Sequence, residues 1–139
     1  MKFRVLLTTS GLGARLGELT SFTNKALIRI KRKPVISYII EGYPKNTEFV
    51  VTLGYQGDHV RQYLELAYPK RKFIFVEIDK YQGKGSSLLY SMLQAKEFLQ
   101  MPFIFHASDT LVYENIPTPK YNWNGGYRGA DSAQYRSFD

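Results

Sequence analysis

The sequence contains no cysteine, and no apolar run approaches the roughly 20 residues that span a membrane. The first absence excludes disulfides, thiolate metal sites and a cysteine nucleophile. The second predicts a chain without a membrane span. No apolar segment of the secretory type follows Met1, so no secretory signal is expected and the cytoplasm is the expected compartment.

The length and charge narrow the range of function classes. The 139 residues fit one domain with a single hydrophobic core. The formal charge of +7, from 19 Lys and Arg against 12 Asp and Glu, favours anionic ligands such as nucleotides or nucleic acids. Two KRK clusters, residues 31–33 and 70–72, are predicted to be solvated loops, because most short charge runs are solvated.

Apolar strand patterns alternate with amphipathic helical patterns along most of the chain. The strands are predicted over residues 3–8, 47–55, 72–78 and 102–109, and the helices over 34–44, 57–67 and 86–99. In the second helix, Val60, Tyr63, Leu64 and Ala67 are predicted to share the buried face. This alternation predicts an α/β fold with a mostly parallel sheet covered on both faces, and a ligand site beyond the carboxyl ends of the strands.

The predicted domain organisation is an α/β core over residues 1–112 and a loop-rich tail over 113–139. The tail is rich in Pro, Gly and Asn and has no sustained period, apart from one short strand pattern over residues 132–138.

The first strand ends in a glycine loop, SGLGARLG, over residues 10–17. A dinucleotide fingerprint requires G-x-G-x-x-G, but Gly17 comes one residue late and no acid ends the second strand. A P-loop requires Ser or Thr after its Gly-Lys pair, but Gly85 follows Gly83 and Lys84. Neither of these two phosphate-binding motifs is therefore present.

Several blocks of the sequence together resemble the nucleotidyltransferases that activate sugar phosphates and choline phosphate. The family pattern is G-x-G-x-R-L, then P-K-x-L, then K-P. Two further blocks agree in order and position: VTLGY at residues 51–55, and YQGKGSSLLYS at 81–91, which resembles the base-reading segment of the family. Asp109, at a strand end, resembles the metal-binding aspartate of the family. The resemblance covers residues 2–112, and the matching positions in the first three blocks are Gly11, Gly13, Arg15, Leu16, Lys25, Leu27, Lys33 and Pro34.

The resemblance implies a three-layer, Rossmann-like nucleotidyltransferase fold. It also implies an enzyme that transfers a nucleoside monophosphate from CTP, UTP or dTTP to a sugar phosphate, with release of pyrophosphate and with Mg²⁺ as cofactor. The product of such a reaction is a precursor for polysaccharide or lipid synthesis. An alternative is a cytidylyltransferase acting on choline phosphate or another small phosphorylated alcohol, because DKY at residues 79–81 is similar to that branch. The pattern is compatible with a homo-oligomer.

The resemblance also implies roles for individual residues. Arg15 and Lys25 are the catalytic candidates: Arg15 for the departing pyrophosphate and Lys25 for charge near the α-phosphate. Asp109 is the candidate Mg²⁺ ligand. A Cβ at Gly11 or Gly13 is expected to obstruct the phosphates. The Gln82 amide can donate to and accept from a base edge. The nucleotide-binding candidates are Leu7, Thr8, Gly11, Gly13, Gln82, Gly85 and Ser86.

Two departures from the family pattern stand out. Asn24 replaces the usual proline before the lysine, and residues 8–10 (Thr-Thr-Ser) replace small Ala or Gly residues, so a different loop geometry is expected. The second metal-binding aspartate of the family lies well beyond residue 139. The chain is therefore expected to be the N-terminal part of a longer enzyme, truncated at its C-terminus. Asp131 and Asp139 are the alternative ligands within it.

Two other functions remain open. One is a nucleotide-binding module without turnover, because the missing part normally helps to form the acceptor site. The other is nucleic-acid binding driven by the charge, which requires basic and aromatic side chains on one surface; no nucleic-acid partner is expected. His106, within an apolar strand, is interpreted as a satisfied core histidine, and His59 as a surface helix residue.

Overall fold

A computed structural model describes residues 1–11, 17, 23–79, 81–83 and 85–126. Within these residues the strands, in chain order, are β1 (Arg4–Thr8), β2 (Arg29–Ile30), β3 (Lys33–Pro34), β4 (Glu48–Leu53), β5 (Lys72–Glu77) and β6 (Phe103–Ala107). The helices are α1 (Val35–Glu41), α2 (Gly57–Ala67), α3 (Leu88–Gln94) and two short 3-10 helices, Lys25–Leu27 and Lys96–Leu99. None of these described helices has the length and apolar character needed to cross a membrane.

Four of the strands form one sheet in the order β5-β4-β1-β6, and every neighbouring pair is parallel. Arg4 of β1 lies opposite Glu48 on one side and Phe103 on the other. The chain runs from β1 outward to β4 and β5, and then returns to place β6 on the other side of β1. The carboxyl ends of β1 and β6 therefore flank a topological switch point, where open α/β sheets bind their ligands.

Alternate residues of the central strands pack on opposite faces of this sheet. Val5 and Leu7 of β1 are fully buried in a cluster that includes Ile36 of α1 and Leu64 of α2. Leu6 is buried on the other face beside Met92 of α3. Strands buried on both faces are continuously apolar, and this pattern predicts the first strand from the sequence. The predicted three-layer α/β fold with a mostly parallel sheet is confirmed.

The helical predictions differ from the structure in detail, and the helix predicted over residues 34–44 ends at Glu41. The helix predicted over residues 86–99 ends at Gln94, and a 3-10 turn follows Ala95. The Ala95 N–H donates to the Met92 carbonyl, three residues back, at 3.0 Å, which tightens the last turn away from α-helical geometry. Ala67, predicted on the buried face of α2, is exposed because α2 ends at this residue.

The two basic clusters lie in different surroundings. Residues 31–33 lie at the turn of the β2–β3 hairpin, which the sequence patterns do not predict. The prediction of a solvated loop is wrong for Arg71, whose guanidinium donates to the carbonyls of Ile40 and Tyr43 at 3.0 and 3.2 Å, and to that of Pro44. These carbonyls lie at and just beyond the end of α1. Arg71 therefore caps the C-terminus of α1, where orphan carbonyls need donors.

Candidate active site

The chain leaves β1 at the switch point through two buried hydroxyl residues. The Thr9 hydroxyl donates to the Thr52 carbonyl at 2.6 Å, and the Ser10 hydroxyl shares a hydrogen bond of 2.9 Å with that of Ser91. Thr9 is fully buried and Ser10 is 4% exposed. Buried hydroxyls are tolerated when they are hydrogen-bonded, so these contacts explain how the chain accommodates polar residues where the resembled family has small ones.

Lys25 and Asp109, two of the predicted site residues, are brought together at the carboxyl edge of the sheet. Lys25 begins the 3-10 helix that follows the glycine loop, and Asp109 lies in the turn after β6, two residues beyond the strand end. The Lys25 Nζ lies 3.7 Å from the Asp109 Oδ2. The lysine side chain is 28% exposed and the aspartate 66% exposed, so the pair faces solvent at the switch point. Because both groups are hydrated, the pair contributes little to stability.

His106 supports the turn that carries Asp109. Its Nε2 lies 2.6 Å from the Thr110 carbonyl and must donate to it, so in the neutral ring Nδ1 accepts from the Tyr43 hydroxyl at 2.8 Å. The turn itself is closed by a bond of 3.1 Å from the Thr110 N–H to the Ala107 carbonyl. His106 is 6% exposed, so its interpretation as a satisfied core histidine is confirmed. His59 is exposed on α2, as predicted.

We expect the stability of the protein to fall as the pH drops below about 6.5. Burial lowers the pKa of His106 below its usual value of 6.5, against smaller opposing effects of the Thr110 carbonyl and Asp109. Below pH 6.5 the unfolded chain therefore takes up a proton that the folded chain does not. Urea denaturation between pH 7.5 and 5.5 should show a loss of up to about 1.4 kcal/mol per pH unit.

The His106→Phe variant removes this titration, so its unfolding free energy should depend less steeply on pH. The variant starts from a lower stability because the Tyr43 hydroxyl and the Thr110 carbonyl lose a hydrogen-bond partner. His59→Gln on the surface of α2 controls for the loss of one histidine. Equal slopes in wild type and His106→Phe would contradict the assignment.

Gly54 allows the segments that contain Ser10 and Tyr81 to approach each other closely, a role that the sequence patterns do not predict. A Cβ at this position would lie 2.6 Å from the Ser10 carbonyl oxygen, 2.9 Å from the Ser10 Cβ and 2.9 Å from the Tyr81 Cβ. Gly54 follows β4, Ser10 follows β1, and Tyr81 begins the segment that resembles the base-reading block. A signal for this role was present, since Gly54 lies in the VTLGY block of the resemblance.

The described residues of the predicted base-reading segment, 81–83 and 85–87, lead into α3. Gly83 and Gly85 have φ of 75° and 89°, values that favour glycine. The Ser86 hydroxyl donates to the Gly83 carbonyl at 2.7 Å, and the hydroxyl of the next residue, Ser87, accepts from the N–H of Tyr90 as the N-cap of α3. Gln82 is exposed.

The remaining nucleotide-binding candidates lie on or just after β1, or outside the described residues. Leu7 is fully buried and Thr8 half-buried in the ladder between β4 and β6. Among the described residues, no heavy atom lies within 4 Å of a Cβ added at Gly11. Gly13 and Arg15, together with Asp131, Asp139 and the strand pattern over residues 132–138, lie outside the described residues.

The donor set at Asp109 is compatible with Mg²⁺. In the described part of the chain no three His, Cys, Asp or Glu residues are grouped closely enough to hold a metal ion by themselves. Mg²⁺ does not need such a cage, because it commonly binds one or two carboxylates and completes its shell with phosphate oxygens and water. An exposed carboxylate beside a lysine, at the edge where a phosphate is expected, fits this preference.

Comparison with known proteins finds similarity to nucleotidyltransferases, the class that the sequence resembles. The choline-phosphate cytidylyltransferase of Streptococcus pneumoniae is 30% identical over 115 residues, which are 81% of this chain and 47% of that protein. No protein-family model matches the chain.

Solved structures of the same class share the fold. The CTP:phosphocholine cytidylyltransferase structure from Streptococcus pneumoniae has a TM-score of 0.64 and 26% identity, over 85% of this chain and 50% of that one. A UDP-glucose pyrophosphorylase from Acinetobacter baumannii has a TM-score of 0.67 at 18% identity, over 82% of this chain and 48% of that one. The chain spans about half the length of these relatives. The predicted resemblance to nucleotidyltransferases and the Rossmann-like fold are confirmed.

Proposed function

We propose that this chain is the nucleotide-binding part of a nucleotidyltransferase that transfers a nucleoside monophosphate from a triphosphate to a phosphorylated acceptor and releases pyrophosphate. The observation that carries this proposal is the 3.7 Å contact between Lys25 and Asp109 at the carboxyl ends of β1 and β6. It joins a phosphate-binding charge and a candidate metal ligand at the edge where open α/β sheets bind ligands.

The proposed reaction is an in-line displacement at phosphorus. A phosphate oxygen of the acceptor forms a bond to the α-phosphorus, and the bond from the α-phosphorus to the bridging oxygen of pyrophosphate breaks. The protein contributes position and charge rather than covalent chemistry. Lys25 places a compact positive charge where negative charge develops at the α-phosphate. In the family pattern, Arg15 binds the departing pyrophosphate through its planar fork of donors.

Asp109 is the residue proposed to hold Mg²⁺. When bound, the ion would neutralise the charge of the phosphate oxygens. The Asp109 carboxylate is held for this role by the turn after β6, whose Thr110 carbonyl is fixed by His106.

The nucleoside is proposed to lie between the start of the glycine loop and the Gln82 turn. These two segments already meet where Ser10 and Tyr81 pack against Gly54. Gln82 can both donate to and accept from a base edge. In the family pattern, main-chain N–H groups of the glycine loop bind the phosphates, and we propose the same role for them here. The proposed contacts are those of Leu7, Thr8, Gly11, Gly13, Gln82, Gly85 and Ser86.

CTP and a small phosphorylated alcohol, such as choline phosphate, are the proposed substrates. The support is the 30% identical relative, a choline-phosphate cytidylyltransferase, together with the DKY residues at 79–81. A sugar phosphate with UTP or dTTP is the second candidate, supported by fold likeness to pyrophosphorylases. The proposed core is residues 1–112, with residues 113–139 leading toward the acceptor site. A triphosphate substrate is consistent with a cytoplasmic enzyme.

Pyrophosphate release from a panel of substrates tests this proposal. CTP, UTP, dTTP and ATP are each combined with choline phosphate, glycerol 3-phosphate and glucose 1-phosphate in the presence of Mg²⁺. We expect pyrophosphate release only when a triphosphate is combined with the acceptor that the enzyme uses, and most rapidly with CTP and a phosphorylated alcohol. Release with glucose 1-phosphate as the only effective acceptor would support the sugar-phosphate candidate. Triphosphate binding without release under any combination would indicate a non-catalytic nucleotide-binding module.

A further inference from the structure

Asn24, the residue before Lys25, has a fully buried side chain with three hydrogen bonds. Its Nδ2 donates to the Thr9 carbonyl at 2.6 Å and to the Tyr55 carbonyl at 2.8 Å. Its Oδ1 accepts from the Ala26 N–H at 2.9 Å. A primary amide has two N–H donors, and both are used here, so the orientation of the side chain is fully determined.

The three partners of Asn24 lie on three separate elements of the site. Thr9 follows β1, Tyr55 follows β4, and Ala26 lies in the 3-10 helix that begins with Lys25. One side chain therefore connects the ends of two neighbouring parallel strands to the helix that carries the proposed catalytic lysine. Asn24 is also the N-cap of that helix, with extended backbone geometry at φ −76° and ψ 145°.

The resembled family has a proline at this position, and proline can make none of these three side-chain hydrogen bonds. We propose that Asn24 is a positioning residue that fixes Lys25 beside Asp109 through these bonds. This inference rests on the proposed function of Lys25. The position of the lysine in this chain is set by a buried amide, whereas a rigid ring occupies the same place in the family pattern.

A double-mutant cycle separates positioning from a merely structural role. We expect Asn24→Ala to lower pyrophosphate release about 10-fold to 100-fold when Lys25 is present, a range comparable to misplacing a catalytic group by about 1 Å. In the Lys25→Ala background the same substitution should change the rate by less than about twofold, because the group it positions is absent. An equal fold-change in both backgrounds would overturn the inference.

Two further variants complete the design. Asn24→Asp keeps the volume and the acceptor oxygen for Ala26 but loses both donors, and it replaces Asn24→Ala if that variant does not fold. Ser37→Ala removes a partly buried hydrogen bond of 2.5 Å to the Tyr63 hydroxyl, away from the site, and should give the same small change in both backgrounds. All rates are measured well below the unfolding midpoint of each variant.

The cycle also distinguishes failure of this inference from failure of the proposed function. If Lys25→Ala alone leaves pyrophosphate release unchanged, the proposed function of the site is wrong. If Lys25→Ala lowers release and Asn24→Ala has the same effect with or without Lys25, only the positioning role of Asn24 is wrong.

Discussion

The Lys25→Ala variant is expected to release pyrophosphate about 10²-fold to 10³-fold more slowly than the wild type, the usual cost of removing one group that stabilises transition-state charge. Lys25 is the described cation closest to Asp109 in the proposed site, with its Nζ 3.7 Å from the carboxylate. Its loss removes positive charge where the α-phosphate is expected to gain negative charge. A coupled pyrophosphate assay under saturating triphosphate measures the effect.

Lys45→Ala is the matched control for this experiment. Lys45 is exposed in the loop between α1 and β4, at the amino edge of the sheet and opposite the proposed site. The Lys45→Ala substitution removes the same charge from the protein as Lys25→Ala, so it tests whether net charge alone accounts for the lower rate of pyrophosphate release. A Lys25→Ala rate similar to that of Lys45→Ala would contradict the assigned role of Lys25.

The Gly54→Ala variant is expected to lose about 1–3 kcal/mol of unfolding free energy, the usual cost of overpacking a tight site. The added Cβ would meet the Ser10 carbonyl oxygen at 2.6 Å, and backbone atoms at the end of a strand cannot turn aside as a flexible side chain can. The backbone movement that relieves this clash should also separate Ser10 from Tyr81 and weaken triphosphate binding. Urea denaturation measures the first effect and calorimetric titration the second.

Gly125→Ala provides the control for the glycine substitution. A Cβ added at Gly125 would have no heavy atom of the described residues within 4 Å, so the effect of this substitution should stay within about 0.5 kcal/mol. A Gly54→Ala protein as stable as Gly125→Ala would show that the close approach of Ser10 and Tyr81 is not required.

The sequence was sufficient to predict the layers of the fold and the edge at which the site lies. Continuous apolar runs predict buried parallel strands, and helices between them require crossovers, so residues that follow β1 and β6 must meet at one edge. The meeting of Lys25 and Asp109, 84 positions apart in the chain, is the direct consequence.

The contacts that support these residues could not be predicted from the sequence. Asn24 was visible only as a departure from a family pattern, because its partners Thr9 and Tyr55 are 15 and 31 residues away along the chain. The role of Gly54 likewise depends on the approach of two distant segments. The capping role of Arg71 was missed for the same reason, since a charge run in sequence gives no information on which carbonyls it reaches.

Calorimetric titration of Mg²⁺ and CTP into the chain tests the central claim, that Lys25 and Asp109 form part of a triphosphate-binding site. We predict saturable binding that requires Mg²⁺, is weakened at least about tenfold by Lys25→Ala and by Asp109→Asn, and is unchanged by Lys45→Ala. Lys25 is proposed to make a charge-assisted contact to phosphate, which contributes about 1.5–3 kcal/mol, and Asp109 is the proposed ligand of the required ion. The same affinity in Lys25→Ala, Asp109→Asn and wild type would contradict the claim.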